Sequence, residues 1–284
     1  MALLKTQSSL SKSDLLKLSS FIYQESGIKM PDSKKVMVEA RLRKRLRELN
    51  LPTYEEYIKY LFSKEGTENE IVHMVDVITT NKTDFFREPR QFEFLFETGL
   101  PEIKRKIESG APRDVNVWSA GCSSGEEPYT LAIVLNEFGI ENPGFKYNIL
   151  ATDISTRVLD KAETGVYDTE RIEPIPEVLV KKYFLRSKDP AKKLVRVVPA
   201  LRNKIHFQRL NFMDSDYQRK DKFDIIFCRN VIIYFDKPTQ DKVISRLVQH
   251  LMPGGYLFLG HSESIFNVDL PLVQLAPSTY RKTI

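Results

Sequence analysis

The stretch VNVWSAGCSSGEEPYT, residues 115 to 130, decides the fold. Its first six residues form a short, mostly apolar run, Gly121 and Gly125 follow, and a helix-forming segment begins at Glu126. A strand that passes through a glycine-containing loop into a helix is typical of the nucleotide-binding units of α/β proteins. Because glycine has no Cβ atom, we expect the backbone of this loop to approach a ligand closely.

Two adjacent carboxylates, Glu126 and Glu127, occupy the place where such a loop normally cradles a phosphate. Either they only complement the dipole at the helix N-terminus, where acidic residues are common, or they face the ligand. A pyrophosphate at this place would meet two negative charges, which is costly in a partly buried cleft. If the acids face the ligand, a cationic ligand fits better.

Short apolar strands alternate with helices from about residue 112 onward. The predicted strands are VNVWSA, YNILATD, KIHFQRLN, FDIIFCRN and GGYLFLGHSE, and the predicted helices cover about 126–139, 155–164 and 238–251. This alternation predicts an α/β fold with a doubly wound, Rossmann-like parallel sheet covered on both faces. Proline-containing residues from about 168 to 204 interrupt it, and we interpret them as a short helix and a small antiparallel β subdomain inserted as an appendage between core elements.

The first 78 residues contain apolar positions at helical spacing only, which predicts a small all-α domain before the α/β domain. Its most informative helix is DSKKVMVEARLRKRLRELN, in which one apolar stripe comprises Val38, Leu42, Leu46 and Leu49. Five cations lie beside or opposite this stripe: Arg41, Arg43, Lys44, Arg45 and Arg47. They form either a solvated face or a docking surface for an anionic partner, and their excess over acidic residues favours docking.

The composition narrows the class of protein. The chain has 284 residues, a formal net charge of +5 and a pI near 9.0, which suits nucleic acid, anionic lipid or an acidic protein as partner. No apolar run approaches the roughly 20 residues of a membrane helix, and the N-terminus carries no export signal, so we expect a cytoplasmic protein without membrane insertion. We also expect the protein to be a monomer. Cys122 and Cys228 belong to no Cys/His cluster, which predicts neither a metal site nor a disulfide framework.

Polar residues follow each predicted strand, at the edge where parallel sheets bind ligands. Asp153 ends the second strand and either accepts hydrogen bonds from ribose hydroxyls or caps the next helix. Asn211 and Phe212 follow the third strand and suit the edge and the face of an adenine. The fourth strand is followed by Arg229, Asn230 and Tyr234.

Together these strand ends favour an adenosine-bearing cofactor that lacks phosphates. S-adenosylmethionine has this description, since it combines ribose and adenine with a sulfonium and an ammonium group. The ammonium group could pair with Glu127.

Five motifs in fixed order now carry a resemblance to a known family. The segments TTNKTDFFRE, WSAGCSSGEEPYT, ATDIS, FDIIFCRNVIIYFD and LMPGGYLFLGHSES, behind a basic helical domain, closely resemble the chemotaxis receptor methyltransferases of the CheR family. The resemblance covers nearly the whole chain. It implies S-adenosylmethionine-dependent O-methylation of glutamates on the cytoplasmic helices of methyl-accepting chemoreceptors, with S-adenosylhomocysteine as the second product.

The resemblance also implies domains and site residues. Residues 1–78 would dock the receptor, 79–92 would be a linker that contributes to the cofactor site, and 93–284 would form the methyltransferase domain. The implied cofactor contacts are Asn81, Thr83, Arg87, Gly121, Glu127, Asp153, Asn211, Phe212, Arg229 and Asn230. We assign Arg87 to orientation of the substrate carboxylate and Tyr234 to a hydrogen bond near the methyl group or substrate oxygen. The five cations at positions 41–47 are assigned to docking of acidic receptor helices.

The same residues also allow alternative functions and partners. A basic face also suits nucleic acid, but amine-methylating enzymes of this fold typically carry an Asp/Asn-Pro-Pro-aromatic motif where this chain has RNVIIY, so we expect no nucleic-acid partner. A non-catalytic receptor-binding homologue and a methyltransferase with another substrate are kept as alternatives. In relatives with tethering, the inserted subdomain holds a pentapeptide at the receptor's C-terminus; here RSKDPAKKLVRVV lacks glycines, which leaves tethering open.

Overall fold

The N-terminal part of the chain is helical, as its apolar spacing predicts. The computed structural model describes residues 9–110, 113–217, 221–265 and 269–283, so residues 1–8, which bear on the expectation about export, lie outside the described residues. The first helices are α1 Lys12–Ser26, α2 Lys35–Glu48, α3 Tyr54–Leu61, α4 Lys64–Asn69 and α5 Ile71–Ile78. Helix α1 begins where the Ser11 hydroxyl accepts a hydrogen bond from the Asp14 amide, and it ends at Gly27, whose φ of 71° is left-handed.

The apolar stripe of α2 packs into the core of this helical part. Val38, Leu42 and Leu46 are buried in one cluster with residues of the neighbouring helices. Leu49 is only partly buried against that cluster. Each fully buried side chain of this size contributes about 1.5–3 kcal/mol through the hydrophobic effect. Packing of the stripe therefore fixes which face of α2 remains at the surface.

A second helical stretch begins inside the segment 79–92 that the sequence analysis assigns to a linker, and the sequence prediction does not include it. It comprises α6 Pro89–Phe94, a π-helical turn Leu95–Gly99, and α7 Leu100–Glu108. Pro89 marks the end of a linker when read as an isolated signal, but it lies in the first turn of a helix, where proline is favoured, as does Pro101. Among the described residues, no helix is long and apolar enough to cross a membrane.

The rest of the chain forms a mostly parallel sheet with helices. Its elements are β1 Val115–Ala120, α8 Glu126–Glu141, β2 Tyr147–Asp153, α9 Thr156–Thr164, β3 Val166–Asp168, α10 Glu177–Tyr183, β4 Phe184–Arg186, β5 Leu194–Val197, α11 Pro199–Arg202, β6 Ile205–Arg209, β7 Phe223–Cys228, α12 Lys237–His250, β8 Leu251–Leu259, β9 Leu272–Ala276 and β10 Thr279–Lys282. The main sheet has the order β6-β2-β1-β7-β8-β10-β9. The chain runs from β1 outward to β6 on one side and returns through β7 to β8 on the other, so the switch point lies between β1 and β7. The predicted α/β fold is confirmed, and the switch point is where such folds bind ligands.

The C-terminal edge of the sheet is antiparallel, which the sequence prediction does not include. Strand β10 pairs antiparallel with both β8 and β9, and the Thr279–Tyr280 step carries a register irregularity. Strands of four and five residues are too short for their periodicity to distinguish them from loops. The hairpin lies far from the switch point and extends the sheet at its edge.

The inserted segment forms a separate small sheet in the order β3-β5-β4, with antiparallel pairs, as predicted. It is more firmly joined to the core than an appendage. Phe85 of the linker packs edge-to-face against Tyr167 of β3 and Phe184 of β4, with ring centroids 5.1 and 5.6 Å apart. The Tyr167 hydroxyl donates a hydrogen bond to the Ser124 carbonyl at 2.7 Å. The small sheet thus holds both the linker and the loop after β1.

Candidate active site

A cavity lies beyond the carboxyl ends of β1, β2, β6 and β7, at the switch point. All ten predicted cofactor residues line it, together with Tyr234. The helical part closes it with side chains that the sequence analysis does not identify: Ser26, Ile28, Met30, Lys34 and Met37. No motif or periodicity marks these positions, and only the end of α1 at Gly27 indicates that the chain turns there.

The loop after β1 contains two glycines in left-handed conformations, of which Gly121 lines the cavity beside Ser123. Gly121 has a φ of 91°, and a Cβ atom placed there would lie 2.2 Å from Cγ2 of Val231. Gly125 has a φ of 96°, and a Cβ atom there would lie 2.9 Å from Cβ of Ala162. Both positions therefore require glycine for conformation as well as for space.

Glu127 is a buried carboxylate in the cavity wall. The Ser119 hydroxyl donates to its Oε1 at 2.7 Å, and Nε of Arg229 donates to its Oε2 at 2.7 Å. Arg229 in turn donates to the Arg87 carbonyl at 2.6 Å and to Oε1 of Gln91 at 3.1 Å. A carboxylate has about four acceptor sites, so Glu127 retains capacity for a cationic ligand. Arg229 acts mainly as the support that holds this carboxylate and the linker together.

Glu126 has a different environment from its neighbour. It is fully buried, does not line the cavity, and accepts hydrogen bonds from the Ser124 hydroxyl and from Nη2 of Arg171, both at 2.7 Å. Arg171 also donates to Oδ1 of Asp84 at 3.0 Å and to the Thr83 carbonyl. Glu126 is therefore more than a complement to the helix dipole: through Arg171 it ties the inserted subdomain to the linker.

Asp153 ends β2 at the cavity wall. Its two oxygens accept the amides of Ser123 at 2.8 Å and Ser155 at 3.0 Å. Burial raises the pKa of this carboxyl, while the amide hydrogen bonds oppose the rise. The cap of α9 is Ser155, whose hydroxyl accepts from the Val158 amide. The helix-cap interpretation of Asp153 is thus excluded, and the ribose interpretation stays a prediction.

Asn211 and Phe212 close the third side of the cavity. The Asn211 side chain donates to the Glu25 carbonyl at 2.5 Å and accepts from the Met213 amide at 3.0 Å. Much of its hydrogen-bonding capacity thus joins the sheet to the helical part. Phe212 is buried and lines the cavity, so it offers an apolar wall to a flat ligand.

Comparison with known proteins assigns both parts of the chain. Residues 13–79 match the family model of the CheR methyltransferase all-alpha domain, and residues 81–280 match that of the CheR methyltransferase SAM binding domain. This chain belongs to the CheR methyltransferase family. The chemotaxis protein methyltransferase of Borreliella burgdorferi is 38% identical to it, over 96% of this chain and 95% of the relative. Chemotaxis protein methyltransferase 2 of Pseudomonas aeruginosa is 40% identical, over 91% of this chain and 89% of the relative. The Escherichia coli chemotaxis protein methyltransferase is 39% identical, over 92% of this chain and 87% of the relative.

As a CheR methyltransferase, the chain is an S-adenosylmethionine-dependent enzyme, and the cavity suits that cofactor. The buried carboxylates of Glu127 and Asp153 match an ammonium group and ribose hydroxyls. Ile28 and Phe212 are apolar residues of the cavity wall, and such walls suit a purine. Within the described ranges, no three His, Cys, Asp or Glu side chains form a metal-ligand group.

The two residues assigned to the reaction both line the cavity of this CheR methyltransferase. Arg87 donates to the Lys82 carbonyl at 3.3 Å and lies between Phe86 and Glu88, whose φ angles of 51° and 59° are left-handed. Tyr234 has Nζ of Lys34 5.9 Å from its ring centroid. Non-glycine residues rarely adopt positive φ, so the backbone around Arg87 is held in an unusual conformation. Such strain is often found at functional sites.

The five cations assigned to docking divide into two groups. Arg43, Lys44 and Arg47 are exposed on the outer face of α2. Arg45 is 12% exposed and donates to both oxygens of the buried Glu70, at 2.8 and 2.6 Å. Arg41 donates to the Ile78 carbonyl and, at 2.9 Å, to the Thr80 hydroxyl. Since Arg45 is engaged inside the helical part, we do not retain it in the docking surface.

Proposed function

We propose that this CheR methyltransferase methylates glutamate side chains on the cytoplasmic helices of chemoreceptors. One observation carries the proposal: α2 lines the cavity through Met37 and exposes Arg43 and Arg47 on its outer face. An acidic helix that docks along these cations therefore binds the same helix that forms part of the cavity wall. The names of the relatives, all chemotaxis protein methyltransferases, support the same partner.

The charges at the cavity favour a carboxylate substrate over an amine. Lys34, Lys82 and Arg87 line the cavity, and none of the three forms an ion pair within the described part of the chain. Unpaired cations attract an anionic side chain and repel an ammonium group. A glutamate side chain has the required charge, so the wall selects for O-methylation.

The reaction requires positioning more than activation. A glutamate with a pKa of about 4.3 is ionised at neutral pH, so the chain needs no general base. Bound S-adenosylmethionine supplies an electrophilic methyl group, and transfer leaves a glutamate methyl ester and S-adenosylhomocysteine. Holding two reactants in line can remove about 7–11 kcal/mol from the barrier. Because an anion combines with a cation, charge decreases toward the transition state, and apolar groups such as Ile28 and Phe212 favour this by excluding water.

Arg87 and Tyr234 are proposed to orient the substrate carboxylate. Tyr234→Phe is expected to lower kcat about tenfold, and Arg87→Ala to lower kcat/KM for a receptor fragment about tenfold or more, since each removes a hydrogen bond at the reacting group. Initial rates at saturating cofactor test both. Tyr23→Phe is the control, because Tyr23 bonds Asp236 at 2.6 Å outside the cavity. Unchanged turnover in both variants, with cofactor binding intact, would show that the roles are wrong.

The proposed chemistry has a direct test. The protein is mixed with methyl-labelled S-adenosylmethionine and a receptor cytoplasmic fragment, and the labelled product is treated with mild base. We expect release of labelled methanol, because a carboxyl methyl ester hydrolyses under these conditions. Base-stable label would indicate N-methylation, and absence of label from the receptor fragment would refute the receptor as substrate.

A further inference from the structure

The loop that follows β7 forms part of the cavity wall and has little regular secondary structure. Arg229, Asn230, Val231 and Tyr234 all line the cavity, and only Tyr234 belongs to the short 3₁₀ turn that follows. Asn230 has a φ of 59°, a left-handed conformation that is uncommon for residues other than glycine. Contacts from outside the loop must therefore maintain this conformation.

One buried carboxylate, Glu263, accepts hydrogen bonds from the backbone amides of this loop. Its Oε2 accepts hydrogen bonds from the amides of Gly260 at 2.7 Å and Asn230 at 2.8 Å. Its Oε1 accepts from the amides of Val231 at 2.9 Å and Ile233 at 3.3 Å. Neighbouring amides that point to one place form an anion-binding nest. Here the chain supplies the anion itself.

The carboxylate is in turn fixed by the turn that follows β8. The Glu263 amide donates to the Gly260 carbonyl at 2.9 Å, and Gln91 donates to the Leu259 carbonyl at 2.8 Å. A Cβ atom at Gly260 would lie 2.8 Å from Oε2 of Glu263, so glycine leaves the space that the carboxylate needs. Burial raises the pKa of Glu263, and its hydrogen bonds to the amides oppose that rise.

We propose that Glu263 is a positioning residue of the methyltransferase. Its carboxylate sets the conformation of residues 229–234 and thereby places Asn230 and Tyr234 in the cavity. The inference rests on methyl transfer by this cavity and is independent of which side chain receives the methyl group.

Glu263→Gln is the first test. The side chain keeps its size, but its NH₂ group cannot accept, so the amides that bond one of the two oxygens lose their acceptor. We expect the Kd of S-adenosylhomocysteine, measured by isothermal titration calorimetry, to rise about tenfold. We expect kcat at saturating cofactor to fall about tenfold as well, because Tyr234 is displaced.

Glu102→Gln is the matched control. Glu102 accepts hydrogen bonds from the Tyr256 hydroxyl at 2.5 Å and from Arg281 at 3.2 Å, and it does not line the cavity. Loss of the Glu102 carboxylate is expected to lower Tm, while the Kd of S-adenosylhomocysteine and kcat stay within about twofold of the parent protein. A residue that only stabilises the fold would behave like Glu102, whereas a positioning residue changes kcat.

Two further measurements keep the proposal falsifiable. Glu263→Asp keeps the charge, but its shorter side chain withdraws the carboxylate from the amides. We expect this variant, like Glu263→Gln, to raise the Kd of S-adenosylhomocysteine and to lower kcat. If both variants fold and retain the Kd and kcat of the parent, the proposal is wrong. If neither folds, hydrogen exchange in the parent decides: the amides of Asn230, Val231 and Ile233 are expected to exchange about 100-fold slower than free amides, and fast exchange would overturn the proposal. Binding of S-adenosylhomocysteine needs no receptor, so failure here is distinct from failure of the proposed glutamate specificity.

Discussion

Glu127→Gln is expected to weaken the binding of S-adenosylhomocysteine by about 100-fold. The neutral amide removes the proposed partner of the ligand's ammonium group and leaves the buried Arg229 guanidinium with Glu88, 3.5 Å away, as its remaining counter-charge. Removing one member of such a buried pair costs about 2–5 kcal/mol, and about 1.4 kcal/mol corresponds to tenfold in affinity. Isothermal titration calorimetry measures the loss, and thermal unfolding without ligand measures the accompanying loss of stability.

Glu126→Gln gives a control with the same chemical change one residue earlier. Glu126 is paired with Arg171 and does not line the cavity, so we expect lower stability with a Kd within about threefold of the parent. Equal losses of affinity in the two variants would mean that the whole loop has moved. Parental affinity in Glu127→Gln would show that Glu127 is not a ligand contact.

The double substitution Arg43→Glu/Arg47→Glu is expected to raise KM for a receptor fragment between about 10- and 100-fold at low salt. Each exposed pair is worth about 0.2–1 kcal/mol, and reversal replaces attraction by repulsion at two positions. Because both residues lie outside the cavity, kcat and the affinity for S-adenosylhomocysteine should remain near the parental values. Steady-state kinetics over a range of receptor concentrations measures the effect.

Reversal of two cations elsewhere separates local docking from net charge. Arg105 and Lys106 are exposed in the last turn of α7, so Arg105→Glu/Lys106→Glu changes net charge by the same amount as the first pair. We expect a change in KM below about threefold. The parental KM should also rise with ionic strength, since exposed charges are screened over about 8–10 Å at ordinary salt. A salt-independent parental KM would contradict docking through α2.

The parts of the fold that can be predicted from the sequence are those determined by a local sequence pattern. A buried parallel strand is a short apolar run, and the residues that follow each such run must meet at one edge of the sheet. Asp153 and the loop before Glu126 and Glu127 can be placed at one edge on this basis, whereas the choice of Glu127 as the contact also draws on the family resemblance. The inserted sheet is likewise marked by prolines and short apolar runs.

The parts that the sequence does not predict depend on distant partners. Ile28 and Met30 form the cavity wall only because the helical part packs over the sheet, and no local pattern encodes that packing. Arg45 looks like its exposed neighbours in sequence, but Glu70, 25 residues later, draws it inside. A helical pattern predicts the face of the helix on which a side chain lies. Ion pairs with residues distant in sequence decide whether a charged side chain on that face remains available to a partner.

The contribution of the helical part to the cavity has a practical consequence for dissection of the enzyme. The two family models divide the chain at residue 80, as if the second part were an independent catalytic unit. Cutting there would remove Ile28, Met30 and Met37 from the cavity wall. We therefore expect the smallest functional fragment to contain both parts, and any chimaera that exchanges the first part for a new receptor specificity also exchanges the apolar residues Ile28, Met30 and Met37 of the cavity wall.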